Sequence, residues 1–310
     1  MENIKQQLQS INISDPLHFQ NLTLFAIKGS NNTSFHYITL SHAYENKVVE
    51  VKETSEEGSV SELLFINNSD TPILIIEGQE LLGAKQNRII NVSILVPAHI
   101  SMVIPVSCCE RSRWGFRSNR EFSLSDRMTF SKARRNKMRS VNERWESGDT
   151  ADSDQQEVWQ DMDVKFAKMN VNSSTDSMGD FYDTYSERIN QYVKSFASEN
   201  NDKGIIAAIN GKIVSMEFFD RNTSFKDNLS KIIRGLAADA IEEQKTSLIA
   251  TKKQAEDFVE NVHASRINEL GSIGLGSQYK INGDAQLGQT LIFNNQIVHF
   301  IVFTKNEWVH

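Results

Sequence analysis

The chain has 310 residues, 39% hydrophobic and 24% charged, which is enough for one large domain or two ordinary ones and argues against global disorder. Its net charge of −7 excludes a generally basic nucleic-acid binder, although not a local basic patch. No apolar run approaches the roughly 18 residues of a membrane span, and the opening MENIKQQLQS lacks the basic-then-apolar pattern of a secretory signal.

The only cysteines are the adjacent Cys108 and Cys109. A disulfide framework is therefore not expected, and a reducing, cytoplasmic setting is. Residues 19–110 read as strands: FQNLTLFAIKG, FHYITLSHAY, KVVEVKE, ELLFINN and TPILII are short runs rich in β-branched and aromatic residues, separated by turn clusters such as GSNNTS and NNSDTP. Within them, Ile90, Val92, Ile94 and Val96 alternate with polar residues before Val-Pro-Ala-His, and Ile100, Met102, Ile104, Val106 and Cys108 alternate after it. That pattern predicts a hairpin with one buried face. Centring its turn on His99 pairs Ile94 with Ile104, Val92 with Val106 and Ile90 with Cys108.

Residues 111–200 change character. Eleven Lys and Arg against three acids lie between Arg111 and Arg144, and seven acids with no base follow between Glu146 and Asp163. Trp159, Met162, Phe166 and Met169 then step at helical spacing, as do Tyr182, Tyr185, Ile189, Tyr192 and Phe196, with a polar loop around NVNSSTDSMGD between them. From residue 201, GIIAAI-Asn210-Gly211-KIVSMEFF is a hairpin signal. A helix carrying Phe225, Leu229, Ile232, Ile233 and Leu236 follows, and another spans Lys252 to Asn268. The chain closes in strands, GLGSQYKI, then QTLIF and IVHFIVF around Asn294-Asn295. The order predicts an α+β protein, a single domain over 1–310. An antiparallel β-sandwich is built from N- and C-terminal strands, with an amphipathic helical segment inserted or flanking. The sub-parts are 19–110 for the sandwich strands, 111–200 for the charged segment and helices, and 201–310 for the hairpin, helices and returning strands.

Extending the hairpin register outward sets Arg88 opposite Glu110, with Gln86 in phase and Glu77 and Glu80 just before the first strand. Charged groups thus gather at one end of an apolar face, where burying them unpaired costs several kcal/mol. Arg88 and Glu110 are either a structural ion pair closing the sandwich end or part of a pocket in which Gln86, Asn87 and Arg88 hold a ribose or phosphate oxygen. The two are compatible. Cys108 falls in the apolar phase as a packed thiol, and Cys109 falls on the other side near Arg111 and Arg113, where a nucleophile is conceivable but a packed thiol is the simpler reading. Adjacent cysteines lack zinc spacing, and the seven histidines show no ligand pattern, so no metal site is indicated. His299, in an apolar strand, reads as a core residue. The basic run reads as an intrachain match to the acidic run. The other readings are contact with an anionic ligand, or a nucleic-acid surface with Trp114, Phe116, Phe122 and Phe130 as stacking groups. The glycines at 271, 274 and 276 precede a strand and not a helix, which indicates a tight turn more than a phosphate loop.

At GQELLGAKQNRIINVSILVPA, IPVSCCERSRW and GLGSQYKINGD…QTLIFNNQIVHF, the chain resembles the ARG and rhodanese-phosphatase-superfamily-associated protein domain family. The Gln86-Asn87-Arg88 run, Glu110 and the Arg113-Trp114 pair are its specific parts. The resemblance implies a mostly prokaryotic protein and, through the family's association with ADP-ribosylglycohydrolases and phosphatases, a link to ADP-ribose or nucleotide chemistry. It carries over no catalytic residue and no cofactor. Three functions stand as expectations. One is a domain that binds or processes a nucleotide-like or ADP-ribose-like anion through Gln86, Asn87, Arg88, Arg113 and Trp114. The second is a hydrolase or transferase with Glu110 or Glu80 as acid or base. The third is an interaction module gripping RNA or an acidic protein through residues 111–144. An anionic small molecule is the expected partner; nucleic acid and a membrane are not.

Overall fold

The structure, a computed structural model, describes residues 2–9, 11–29, 35–115, 121–243, 246 and 248–305. It is an α+β fold whose strands pair almost entirely antiparallel. Contacts along the chain group it into two compact units, Met1–Phe35 with Asn190–Ser272 and Gly276–His310, and His36–Ile189 with Ile273–Leu275. Each has its own sheet and hydrophobic core.

The first unit is organised by a nine-stranded sheet. Its path runs Asn12–Ile13, Leu22–Lys28, Asp202–Ile209, Lys212–Phe219, Gln296–Thr304, Gln286–Phe293, Ser277–Asn282 and Arg266–Gly271, with Leu17–Phe19 also paired to Leu22–Lys28. The C-terminal strands therefore do return to N-terminal ones. Two tight turns fix the hairpins. Asn210 and Gly211 have φ of 51° and 78°, and Asn294 and Asn295 have φ of 51° and 60°. Positive φ at both central residues is what a two-residue hairpin turn requires. One face of the sheet carries Phe25, Ile27, Ile206, Met216, Phe218, Phe300 and Val302, packed with Ala255, Phe258 and Val262 of the helix Lys252–Ala264 and with Leu8 of the helix Glu2–Gln9. The long helix Asn222–Glu242 packs on Asp202–Ile209 and its neighbours. The segment after Arg266–Gly271 is a turn between strands, as its glycines indicated, with Gly276 at φ 84°.

The second unit holds a six-stranded sheet, ordered Phe122–Met128, Gln79–Gly83, Arg88–Ile90, Ser101–Cys108, Glu62–Asn67 and Val49–Glu53, and a three-stranded sheet of Ile94–Val96, Ile73–Ile75 and Ile38–Thr39. Val51, Leu63, Phe65, Ile90, Ile104 and Val106 of the larger sheet share one core with Ile73, Ile75, Ile94 and Val96 of the smaller. This is a sandwich in miniature. The helices Ser131–Glu146, Gln155–Met169 and Met178–Thr184 complete the unit. The helical spacing of Trp159 to Met169 marks the second of these. Ser131–Glu146 and the strand Phe122–Met128 left no periodic signal, because Arg134 and Lys137 occupy buried positions of the helix where apolar residues would normally mark the face.

Gly276 and Gly148 separate two costs of losing glycine. Both have positive φ, 84° and 94°. A Cβ at Gly276 would strike the Ile292 carbonyl, while one at Gly148 meets nothing within 4 Å. Gly148→Ala should cost about 1–2 kcal/mol of backbone strain, and Gly276→Ala clearly more, as read by urea denaturation of each variant.

Candidate functional site

The strands Gln79–Gly83 and Arg88–Ile90 pair through Glu80 with Ile89 and Leu81 with Arg88, joined by the tight connection 84–87 in which Ala84 takes φ 39°. On its other side Arg88–Ile90 pairs with the end of Ser101–Cys108, placing Arg88 opposite Cys108 and Ile90 opposite Val106. The expected partners differ by two residues. Ile94–Val96 leaves to pair with Ile73–Ile75, and Ser101–Pro105 pairs with Glu62–Ile66, so no simple hairpin centres on His99. The shift is even, so every side chain keeps its predicted face. The predicted contact of Arg88 with Glu110 is lost. Glu110 instead forms an isolated bridge with Ser177.

Glu77, at the entry to this hairpin, is fully buried. Arg134 reaches its Oε1 through Nε at 2.9 Å and through Nη2, and Lys137 Nζ lies 3.4 Å from its Oε2. Lys137 also donates to the Ile90 and Asn91 carbonyls at 3.1 and 2.9 Å. Burial pushes the Lys137 ammonium down to about 8, against the opposing pull of Glu77. Gly78 is required here: at φ 85° its missing Cβ would sit 2.7 Å from Arg134 Nε. Two residues of the basic run are thus internal partners of Glu77. Others pair with the acidic run as expected, Arg139 with Glu157 and Arg111 with Asp163 at 2.9 Å. Phe122 and Phe130 are core residues and offer no stacking surface; Phe116, Arg117 and Arg120 lie outside the described residues.

Gln86, Asn87, Arg88, Glu110, Arg113 and Trp114 do come together, in a different pairing. Glu110 Oε2 accepts from the Asn87 backbone N–H at 3.1 Å and from Arg113 Nη2 at 2.6 Å. Arg113 Nη1 also donates to the Ala84 carbonyl at 2.7 Å, which ties the 84–87 connection to residues 110–113. Arg88 has no exposed surface. Its Nη1 donates to Gln86 Oε1 and its Nη2 to the Ser59 carbonyl, both at 3.1 Å. The carboxylate paired with it is Glu53, at 3.9 Å and itself only 4% exposed. Arg88 Nε and Glu53 Oε2 are buried without a hydrogen-bond partner. Trp114 is 51% exposed, with Lys85 Nζ 5.2 Å and the Arg88 guanidinium 5.9 Å from its ring centre.

Glu80 sits apart from that cluster. It is fully buried, 3.7 Å from Cys109 Sγ, with Oε2 unpartnered. Burial raises its carboxyl to about 7, only partly offset by the Arg127 charge and the Ser125 hydroxyl. Cys108 and Cys109 are both buried free thiols, and burial raises both, Cys109 well above the ordinary thiol value. A nucleophilic thiol needs the opposite shift. Cys109 is thus a packed thiol, because the face opposite the apolar one is buried here as well. Among the described residues, no group of three or more His, Cys, Asp or Glu is placed to hold a metal ion. No described helix is long and apolar enough to cross a membrane.

The sequence of residues 10–303 matches the family of the ARG and Rhodanese-Phosphatase-superfamily-associated Protein domain. The chain belongs to that family. No curated protein and no solved structure matches it. In this family member the partners missed by sequence reasoning are Arg134, Lys137, Glu53 and Arg127, all distant in sequence from the segment they complete. The i,i+3 spacing of Arg134 and Lys137 was the one available sign that two cations of the basic run share a helix face.

Two outcomes follow from the buried charges. Glu77→Gln keeps the shape but leaves two buried cations without their carboxylate, and should lower stability by about 3–5 kcal/mol in urea denaturation. Glu80 has a folded-state value near 7 against an ordinary 4.5. The folded chain therefore holds the extra proton between those values, and stability falls as pH rises from about 4.5 to 7, then levels. Glu80→Gln removes that loss. It should be more stable than the parent at pH 8 by up to about 3 kcal/mol, with the difference gone below pH ~4.5. A constant difference across pH would show that Glu80 stays ionised in the folded state.

Proposed function

We propose that the chain is a ligand-binding domain for an anionic, nucleotide-like small molecule, seated where Trp114 lies over Lys85 and Arg88. One observation carries this reading: a guanidinium with no exposed surface, its Nε unpartnered, beneath a half-exposed indole. A purely structural ion pair closes to hydrogen-bond distance and satisfies its atoms, because unsatisfied buried polar groups are costly. Arg88 Nη2 and Glu53 Oε1 stay 3.9 Å apart, and the other atoms Arg88 Nε and Glu53 Oε2 are unpartnered. A ligand hydroxyl, as in a ribose, accepts from one and donates to the other. A planar base stacks on an exposed indole, and Lys85 supplies positive charge beside it. Arg88 is closed off in this structure, so a ligand reaches it only by displacing the Trp114 ring. The family's description, which links it to ARG and rhodanese-phosphatase proteins, agrees with nucleotide or ADP-ribose chemistry. The two buried free thiols suit a reducing compartment such as the cytoplasm.

Binding is favoured over catalysis because Glu110 is already committed to Arg113 and the Asn87 N–H, which leaves it a poor base. Acid–base work by Glu80 is the second reading, supported by its near-neutral titration and unpartnered oxygen. The two are separable: Glu80→Gln would abolish turnover of a substrate while leaving its binding intact.

The test is thermal shift with ADP-ribose, AMP and ribose 5-phosphate. The expected result is a rise in Tm that grows with ligand concentration. Trp114→Ala, at an exposed position, should keep the fold and weaken binding about tenfold or more, the loss of one stacking contact. No stabilisation by any of the three at millimolar concentration, or binding indifferent to Trp114→Ala, overturns the reading.

A further inference from the structure

The first unit carries an open groove that neither the family nor the Trp114 cluster accounts for. It has a volume of about 320 Å³, at the small end of the ~300–1,000 Å³ of ligand sites. Leu8, Ile11, Ile13 and Val259 form its apolar part. The helix Lys252–Ala264 contributes the rest. Its Ala255, Phe258 and Val262 face the core, while Glu256, Val259, Glu260 and His263, spaced i, i+3, i+4 and i+7, line the groove as a second face.

The charges on that helix are unevenly matched. Lys252 pairs with Asp15 at 3.5 Å, and Lys253 with Asp257 at 2.7 Å. Both lysines are thereby taken. Glu256 and Glu260 are exposed one turn apart, and both feel the charge of Lys253, whose ammonium sits on Asp257. At the end of the groove, His263 Nε2 is buried with no hydrogen-bond partner. An apolar floor with two exposed carboxylates along one wall is complementary to an apolar side chain flanked by cations.

From this we propose that the groove between Glu2–Gln9 and Lys252–Ala264 is a docking site for a basic amphipathic segment of a partner protein. A large aliphatic or aromatic side chain of the partner sits against Leu8, Ile11, Ile13 and Val259. Lysines or arginines one turn away on the partner meet Glu256 and Glu260. This is the helix-in-groove mode of recognition, in which apolar anchors at i and i+3 or i+4 give affinity and flanking charge gives selectivity.

The experiment uses the full chain and a fluorescein-labelled helical peptide of about fifteen residues, with leucines on one face and lysines on the other, read by fluorescence anisotropy. Two control peptides replace the leucines by serine or the lysines by glutamate. Saturable binding of the leucine–lysine peptide alone, weakened about tenfold by Glu256→Gln with Glu260→Gln and again by Val259→Ser, supports the site. The circular dichroism spectrum and Tm of each variant must match the parent, since these are surface or half-buried positions. Equal binding of the serine–lysine peptide overturns the proposal, because bulk attraction to a chain of net charge −7 then suffices. So does binding that ignores all three substitutions, or no saturable binding at all.

Discussion

Glu77 brings a carboxylate to a place with no exposed surface, and the second unit is arranged around the two cations that neutralise it. Arg134 and Lys137 come from one face of a helix, Ser131–Glu146, and their target lies two residues beyond the strand Ile73–Ile75. Lys137 also donates to the Ile90 and Asn91 carbonyls, where Arg88–Ile90 ends, the first of which accepts from the Gly78 N–H as well. One side chain therefore fixes a helix and a strand end together. Such a knot adds little net stability, since desolvating three charges consumes most of the Coulombic gain. It does make one position of the helix far better than its neighbours. A helix slid by one residue along its axis would leave all three groups unpaired, so the knot sets register where apolar packing alone would tolerate slippage.

The other buried charges around the 84–87 connection differ in how fully they are bonded. Glu110 is satisfied: Arg113 and the Asn87 N–H hold it, and Arg113 in turn ties down the Ala84 carbonyl. Its work is to shape the 84–87 connection. Arg88, Glu53 and Glu80 each carry a buried atom without a partner, and so does Arg113 at Nε, although its two Nη atoms are bonded. Buried polar groups in folded chains are almost always paired, so leftover capacity concentrates where a protein does something other than fold. Arg88 and Glu80 belong to one short hairpin, Gln79–Gly83 with Arg88–Ile90, while other unpartnered buried atoms, such as Asp202 Oδ1 and His263 Nε2, lie in the first unit. The rigidity of that hairpin comes from Glu77 on one side and Glu110 on the other.

Much of this was legible in the chain, and the illegible parts share a cause. The Asn210-Gly211 and Asn294-Asn295 turns, the return of C-terminal strands, the apolar alternation of residues 90–108 and the gathering of Gln86 to Trp114 all rest on local rules of period and turn chemistry. The register missed by two because parity is local but pairing is not: nothing in residues 90–108 reveals that Ile94–Val96 prefers Ile73–Ile75. The helix Ser131–Glu146 was hidden by the very residues that anchor it, since Arg134 and Lys137 read as surface charge until Glu77 is placed beside them. Glu53, the partner of Arg88, lies 35 residues earlier (88 − 53) in a strand whose own pattern marks only its buried valines.

That shared cause also bears on how function is distributed in this fold. Local pattern identifies residues that face inward, and long-range pairing decides which of them are used up. Glu110 and Arg88 looked alike in sequence, both charged and both on the apolar face at one end of an alternating run. Pairing made Glu110 a staple and left Arg88 with an open hydrogen-bond position. The same sorting took Cys109 out of consideration, by burying it against an acid that burial also keeps near neutral charge balance at physiological pH. The proposed site keeps Arg88 and Trp114 of the expected cluster and adds Glu53 and Lys85, four residues from three separate segments. Only Trp114 of these reaches solvent to any large extent. In the proposed site, a guanidinium sealed beneath an exposed indole could be reached by turning that one side chain. That is the economical way to keep a guanidinium both desolvated and reachable.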